Sequence, residues 1–177
     1  DEAGYPVKDD GYRFHLRHRP APWGEYTQLW AEYYAQAMKE IGIDVEILTN
    51  DAPGFLNGVY RDNDFDTANG WHQFRSDPAV STMVWLRSGQ PEGTPWTNQF
   101  GWKSEEIDAM IDAAASELDV EKRAAMYHEI QARAMAELPV FFAIEHPFIS
   151  VTSKKLHNHH NTPRWNSSSW YDLWIEH

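Results

Sequence analysis

Three short stretches hold the side chains best suited to chemistry. The first is HNHH, with His157, His159 and His160. Neutral imidazoles ligate zinc, nickel and copper, and histidine clusters suit these ions. Adjacent His159 and His160 point in different directions in any regular element, and no helical HExxH spacing exists. Solvated surface is therefore preferred over a metal site, and no metal ligand is assigned. The second stretch is DNDFD, with Asp62, Asp64 and Asp66. A calcium loop of the EF-hand type needs Gly at its sixth place and Glu at its twelfth. Thr67 and Gln73 stand there, so these carboxylates read as turn formers and solvated charge. The third stretch is NGWHQFRSDP, residues 69–78, together with Trp96, Asn98, Phe100 and Trp102 in a later loop. Trp71 offers a stacking plane, Arg75 a bidentate donor for a carboxylate, and Asn98 both a donor and an acceptor. Core packing competes for Trp71, and an ion pair with Asp66 or Asp77 competes for Arg75.

Catalytic patterns are missing. No GxSxG or SxxK nucleophile motif occurs, and Gly54 and Gly58 match neither a Walker nor a dinucleotide loop. Asp66 and Asp77 keep a small hydrolase open as a rival, but glycoside hydrolysis needs two acids at a set distance across a cleft. No catalytic residue, no enzymatic activity and no cofactor are expected.

The elements that must position these residues follow from hydropathy patterning. Tyr12 to His18 alternates, placing Tyr12, Phe14, Leu16 and His18 on the buried face of a strand that Pro20 and Pro22 end. Glu25 to Ile41 reads as a helix with Trp30, Tyr33, Tyr34, Ala37, Met38 and Ile41 on its apolar face and Gly42 as its cap. Ile43 to Leu48 alternates again. Strand, helix and strand make a βαβ unit with parallel strands. A short helix over 52–60, a third strand over 65–71 and a short helix over 79–87 follow. Ser104 and Asp119 cap two helices reaching Leu118 and Leu138, with Pro139 as the stop. Val140 to Ile144 (VFFAI) predicts a strand covered on both faces, and Phe148 to Thr152 a further one. The NGWHQFRSDP stretch follows a parallel strand at its C-terminal end, where ligands of open α/β sheets bind.

Composition sets the outer bounds. The chain has 177 residues, 42% hydrophobic and 24% charged, which is globular and not disordered. Fifteen Lys and Arg against 27 Asp and Glu give a formal charge of −12, a field that repels phosphate backbones. Nucleic acid is thereby excluded as a partner. Absence of Cys removes disulfides, thiol catalysis and Cys-ligated zinc. No apolar run approaches the roughly 20 residues of a spanning helix. Aromatic residues reach 14%, enough for a Trp-rich core with a few rings left for a ligand surface. The chain opens on Asp1 and is expected to be processed or excised.

The order of several motifs resembles the C-terminal lobe of family 5 extracellular solute-binding proteins, the peptide, dipeptide and nickel-type binding proteins of bacterial ABC importers. The likeness begins at DEAGYPVKDDG and continues through DFD at 64–66, GW…DP at 70–78 and TNQF at 97–100. It ends with SEEIDAMIDAA at 104–114 and DVEKRAAMYHEIQARAMAELP at 119–139. It implies an α/β fold: a βαβ-containing lobe of a two-lobed, type II-like periplasmic binding protein, with a mixed sheet flanked by helices. Residues 1–152 would form the ligand-binding lobe, and 153–177 a tail returning to the missing N-terminal lobe. The implied partners are a small-molecule solute, ABC permease subunits and that other lobe, in the periplasm or another extracytoplasmic space. A nickel-type metal or chelate binder using the His-rich tail, with His146, is the alternative. In the family's peptide binders an acid after Gly-Trp receives the ligand's amino terminus, and that place here holds Phe74. Ordinary peptide capture by that salt bridge is therefore not expected. The ligand-binding residues expected are Trp71, His72, Phe74, Arg75 and Asn98.

Overall fold

A computed structural model describes residues 1–72, 75, 77–145, 149, 151–159 and 170–176. These divide into two units, one of residues 1–72 and 88–102, the other of residues 73–87 and 103–177.

The first unit is built on a βαβ arrangement. Strand β1 spans Phe14–Pro20, helix α1 Glu25–Glu40 and strand β2 Ile43–Ile47. Gly42 takes φ +80°, a turn open to glycine at no steric cost, and lets the chain reverse into β2. The two strands run parallel, from Phe14 opposite Ile43 to His18 opposite Ile47. Strand β3, Thr67–Asn69, pairs parallel with the other edge of β1, from His18 opposite Thr67 to Pro20 opposite Asn69. The order is β2-β1-β3.

Two faces differ from the sequence expectation. Phe14 is 43% exposed and Leu16 half-buried, and of that face only His18 is buried. Only the last three residues of β1 gain β3 as a neighbour, so the start of the strand has an open edge. In α1 the buried residues are Thr27 and Ala31, whereas Tyr33 and Ile41 are exposed. Small residues let the helix approach closely, and Thr27 fixes its rotation by sharing its hydroxyl between the carbonyls of Ala21 and Gly24.

Between β2 and β3, Asp51 caps α2 (Ala52–Leu56) by accepting from the Gly54 N–H, and a π turn over Asn57–Arg61 continues it. Ala21, Phe55, Val59 and Tyr60 form a buried cluster, with Leu56, Phe65 and Ala68 packed against it. The DNDFD carboxylates do more than solvate a turn. Asp64 accepts from both Arg17 and Arg19, and Asp66 accepts from the Arg17 backbone N–H at 2.7 Å. They fasten the approach of β3 to β1.

The second unit is helical. A 3₁₀ turn at Pro78–Val80 and helix α3 at Met83–Leu86 stand where one helix over 79–87 was expected. Helix α4 (Glu105–Ser116) is capped by Ser104, and α5 (Val120–Glu137) by Asp119. Ile107, Ile111 and Ala114 on α4 and Tyr127, Ile130 and Ala134 on α5 are buried. Leu138 ends α5 in the left-handed region at φ +49°. Strands β4 (Leu156–His157) and β5 (Trp174–Ile175) pair antiparallel.

Val140 to Ile144 is not a strand, and Phe141, Phe142 and Ile144 are 72%, 53% and 66% exposed. An apolar run becomes a covered strand only when neighbouring strands take its backbone donors and acceptors. The three-stranded sheet lies wholly in the other unit. For the same reason the stretch expected as a strand over 148–152 shows none among its described residues, and Ile149 and Val151 are exposed.

Candidate ligand-binding face

All three strands of the first unit run parallel, so their C-terminal ends lie along one edge of the sheet. That edge carries Ala21 to Gly24 after β1, Leu48 to Asp51 after β2, and Gly70 to His72 after β3. Backbone bonds tie the exits together: Leu48 N–H donates to His18 O at 2.8 Å, and Ala21 N–H to Asn69 O at 2.9 Å.

Beneath this edge sits His18, 2% exposed. The Asn69 amide nitrogen donates to Thr27 O at 3.1 Å, which turns its oxygen toward His18. That assignment makes His18 Nε2 a donor to Asn69 Oδ1 at 2.9 Å and leaves Nδ1 to accept from the Thr67 hydroxyl at 2.8 Å. Burial pushes the imidazole pKa below its usual value, against the opposing pull of the Asn69 bond. The ring also packs at 4.9 Å from Tyr34. A neutral histidine thus joins β1, β3 and α1.

Arg19 is the second buried polar group. It donates to the Asp64 carbonyl from Nε (3.2 Å) and Nη2 (3.1 Å), to the Asp64 carboxylate (2.9 Å), and to Asn50 Oδ1. Arg17 and then Arg19 hold the Asp64 carboxyl below its ordinary pKa. Gly58 gives Arg19 room, because a Cβ there would lie 2.7 Å from its Cζ and Nε.

The residues expected to bind ligand are divided between the two units. Trp71 and His72 are half-buried at the exit of β3 in the first unit. Asn98 is buried in the same unit and donates through Nδ2 to Trp102 O at 2.9 Å, bracing its own loop. Arg75 belongs to the second unit, where its backbone N–H donates to Ser81 Oγ at 2.8 Å and its side chain is exposed. Phe74 lies outside the described residues.

Sequence reading missed an aromatic group at the exit of β1. Trp23 meets Phe55 edge-on at 5.1 Å and Trp96 at 5.0 Å, and Trp96 meets Tyr60 at 5.8 Å. Phe55 and Tyr60 are 2% and 3% exposed, so they form a floor. Burial raises the Tyr60 hydroxyl to about 12. The loop bearing Trp96 is tied down by Gly93 N–H to Tyr60 O at 2.8 Å and Thr97 Oγ1 to Thr94 O at 2.8 Å. The sequence offered Trp96 in the loop already singled out and Trp23 directly after the prolines at the end of β1, with nothing to pair them.

The remaining candidates have other partners. His157 stacks on Trp174 at 4.0 Å and lies 3.4 Å from Glu176, and His159 bonds Thr152. His146 and His160 lie outside the described residues. Among the described residues no three His, Asp or Glu side chains converge as metal ligands. Asp77 accepts from the Ala79 N–H in the second unit, and Asp66 serves Arg17 in the first. No described helix is long and apolar enough to cross a membrane.

No protein-family model matches the chain, and no curated protein matches it in sequence. Solved structures do match. AppA from Clostridium difficile aligns with 96% of this chain at 23% identity and TM-score 0.68, using 34% of its own length. The fold is that of the family 5 solute-binding proteins. The oligopeptide-binding protein AppA from Bacillus subtilis, solved with a nonapeptide, aligns with 99% of the chain at 16% identity and TM-score 0.63, using 36% of its own length. NikA from Brucella suis, solved with Fe(III)-EDTA, aligns with 77% at 22% identity and TM-score 0.58, using 28% of its length. The chain thus spans about a third or less of the structures it matches, all of which share the two-lobed binding-protein architecture.

Proposed function

We propose that this chain is the C-terminal lobe of the substrate-binding component of an ABC importer, working outside the cytoplasmic membrane. The observation that carries the reading is the shared fold over nearly the whole chain, together with a parallel sheet whose C-terminal edge bears aromatic and polar side chains. In this reading residues 1–152 hold one side of a small solute, and residues 153–177 return to the other lobe. A solute bridging two lobes makes more contacts when they close, and that differential affinity drives closure. The permease then recognises the closed form, and no bond is made or broken. Phe74 stands where an acid would receive a peptide's amino terminus, so the solute is held without that salt bridge.

A second reading, capture of a metal chelate, is favoured by the likeness to NikA, whose solved ligand is Fe(III)-EDTA. A thermal-shift screen of the full-length protein against peptides, sugars and metal chelates tests both. A true solute at 100 times its Kd stabilises by about 2.7 kcal/mol. Stabilisation by none of these classes refutes solute capture, and a response confined to chelates selects the second reading. Equilibrium dialysis with free nickel and zinc tests the tail separately; retained metal lost on replacing His157 and His159 by alanine places it there.

A further inference from the structure

Trp23 and Trp96 are each 37% exposed, although both are anchored from below by nearly sealed rings. An exposed side chain is ordinarily mobile; these two are held. Trp23 rests edge-on against Phe55, and Trp96 against Tyr60. Trp96 also sits at φ +66°, in the left-handed region that a bulky residue rarely adopts. Such strain persists only where surroundings over-determine it, and it gathers at ligand sites. Glycine would suit that backbone better, so the indole itself is what the position supplies. The two indole planes meet at 53° with centroids 5.0 Å apart. At that separation the indoles touch each other, so a third ring packs on their exposed surface rather than between them, where it can meet one by its face and the other by its edge, the two arrangements aromatic quadrupoles favour. An aliphatic group filling the same space gains contact area without the quadrupole term.

We infer that Trp23 and Trp96 form a preorganised stacking subsite for a planar aromatic ring carried by the solute. The inference rests on the solute-binding reading and narrows its solute class. Two probes of matched shape separate aromatic stacking from plain burial: N-acetyl-phenylalaninamide and its cyclohexylalanine analogue. Both are titrated into the full-length protein while the indole N–H signals of Trp23 and Trp96 are followed by NMR. The aromatic probe is expected to shift both signals and to bind roughly threefold to tenfold tighter than its saturated analogue. Trp23→Leu and Trp96→Gly, the latter keeping the left-handed backbone without strain, should each abolish that preference. Equal affinity of the two probes, unmoved indole signals, or a preference surviving both substitutions overturns the subsite. Its failure is distinguishable from failure of the wider reading. A solute that stabilises the protein while leaving both indoles unmoved keeps solute capture and rejects the stacking. Indole shifts without stabilisation by any solute class keep the stacking and reject capture.

Discussion

Replacing Gly58 by alanine puts a methyl group against the heavily bonded side chain of Arg19. The added Cβ would lie 2.7 Å from Arg19 Cζ and Nε. To reach ordinary contact the guanidinium must retreat by roughly 0.8 Å, given carbon contacts near 3.5 Å. Its bonds to Asp64 already span 2.9 to 3.2 Å, so that retreat breaks at least two of them. Hydrogen bonds of charged groups contribute about 1.5–3 kcal/mol each. Asp64 is half in water, which argues for the low end. Alanine in place of glycine returns up to about 1 kcal/mol through the unfolded chain. The net expectation is destabilisation by about 2 kcal/mol, read from urea unfolding. In an Arg19→Met background the methyl group meets a flexible apolar chain, and Gly58→Ala should then be neutral or mildly stabilising. The coupling between the two sites would be about 2 kcal/mol. A neutral Gly58→Ala in the natural background, or an equal cost in both, refutes the idea that Gly58 exists to admit Arg19.

Two histidines three places apart on β1 should titrate in opposite directions. His15 is exposed between Asp44 (2.9 Å) and Asp10 (2.8 Å), and the Asp44 bond foremost raises its pKa; NMR titration should place it above 6.5. Its ion pairs contribute fully below pH 6.5 and fade as pH rises through the raised value. His18 should titrate below 6.5, so its neutral network is present above that pH and is lost as pH falls through the depressed value. A His18 signal titrating at or above 6.5 would contradict the neutral bridge to Asn69 and Thr67. Ile130→Ala removes a side chain with no exposed surface from α5 and should cost about 3 kcal/mol in urea unfolding; a cost below 1 kcal/mol would mean that the α4–α5 core is not packed as described. Asp119→Ala deprives the Lys122 N–H of its acceptor and should cost about 1 kcal/mol, with Asp119→Asn recovering most of it.

Local rules carried much of this architecture. Helical spacing, the caps at Ser104 and Asp119 and the alternation of Ile43 to Leu48 place α4, α5 and β2 within a few residues of where they stand. Failures came where a neighbour decides the outcome. Periodicity cannot tell which of two adjacent faces of α1 is buried, because Thr27 is polar and Ala31 small; the close approach they permit is a property of the pair of elements. VFFAI has every local mark of a covered strand, yet pairing is supplied by other chain segments. The place of Trp71 and His72 at the exit of β3 was legible because strand order predicts that edge. The Trp23–Trp96 pair was not, since some 70 residues separate partners that the loop anchors at Gly93 and Thr97 bring together. Asp64 read as solvated because its two arginine partners lie on a strand 45 and 47 residues away.

The apolar run from Val140 to Ile144, exposed from Phe141 onward, has a consequence for handling the protein. A segment rich in Phe, Val and Ile, free of charge and open to water, is the kind that stacks into cross-β aggregates. Its ends are guarded: Pro139 cannot donate to a growing ladder, and Glu145 sets like charges against one another in any in-register stack. The five residues between them fall short of the roughly six or seven that a steric zipper uses. Replacing either guard would lengthen the window, so soluble yield should fall further with Pro139→Val or Glu145→Val than with any change inside the run.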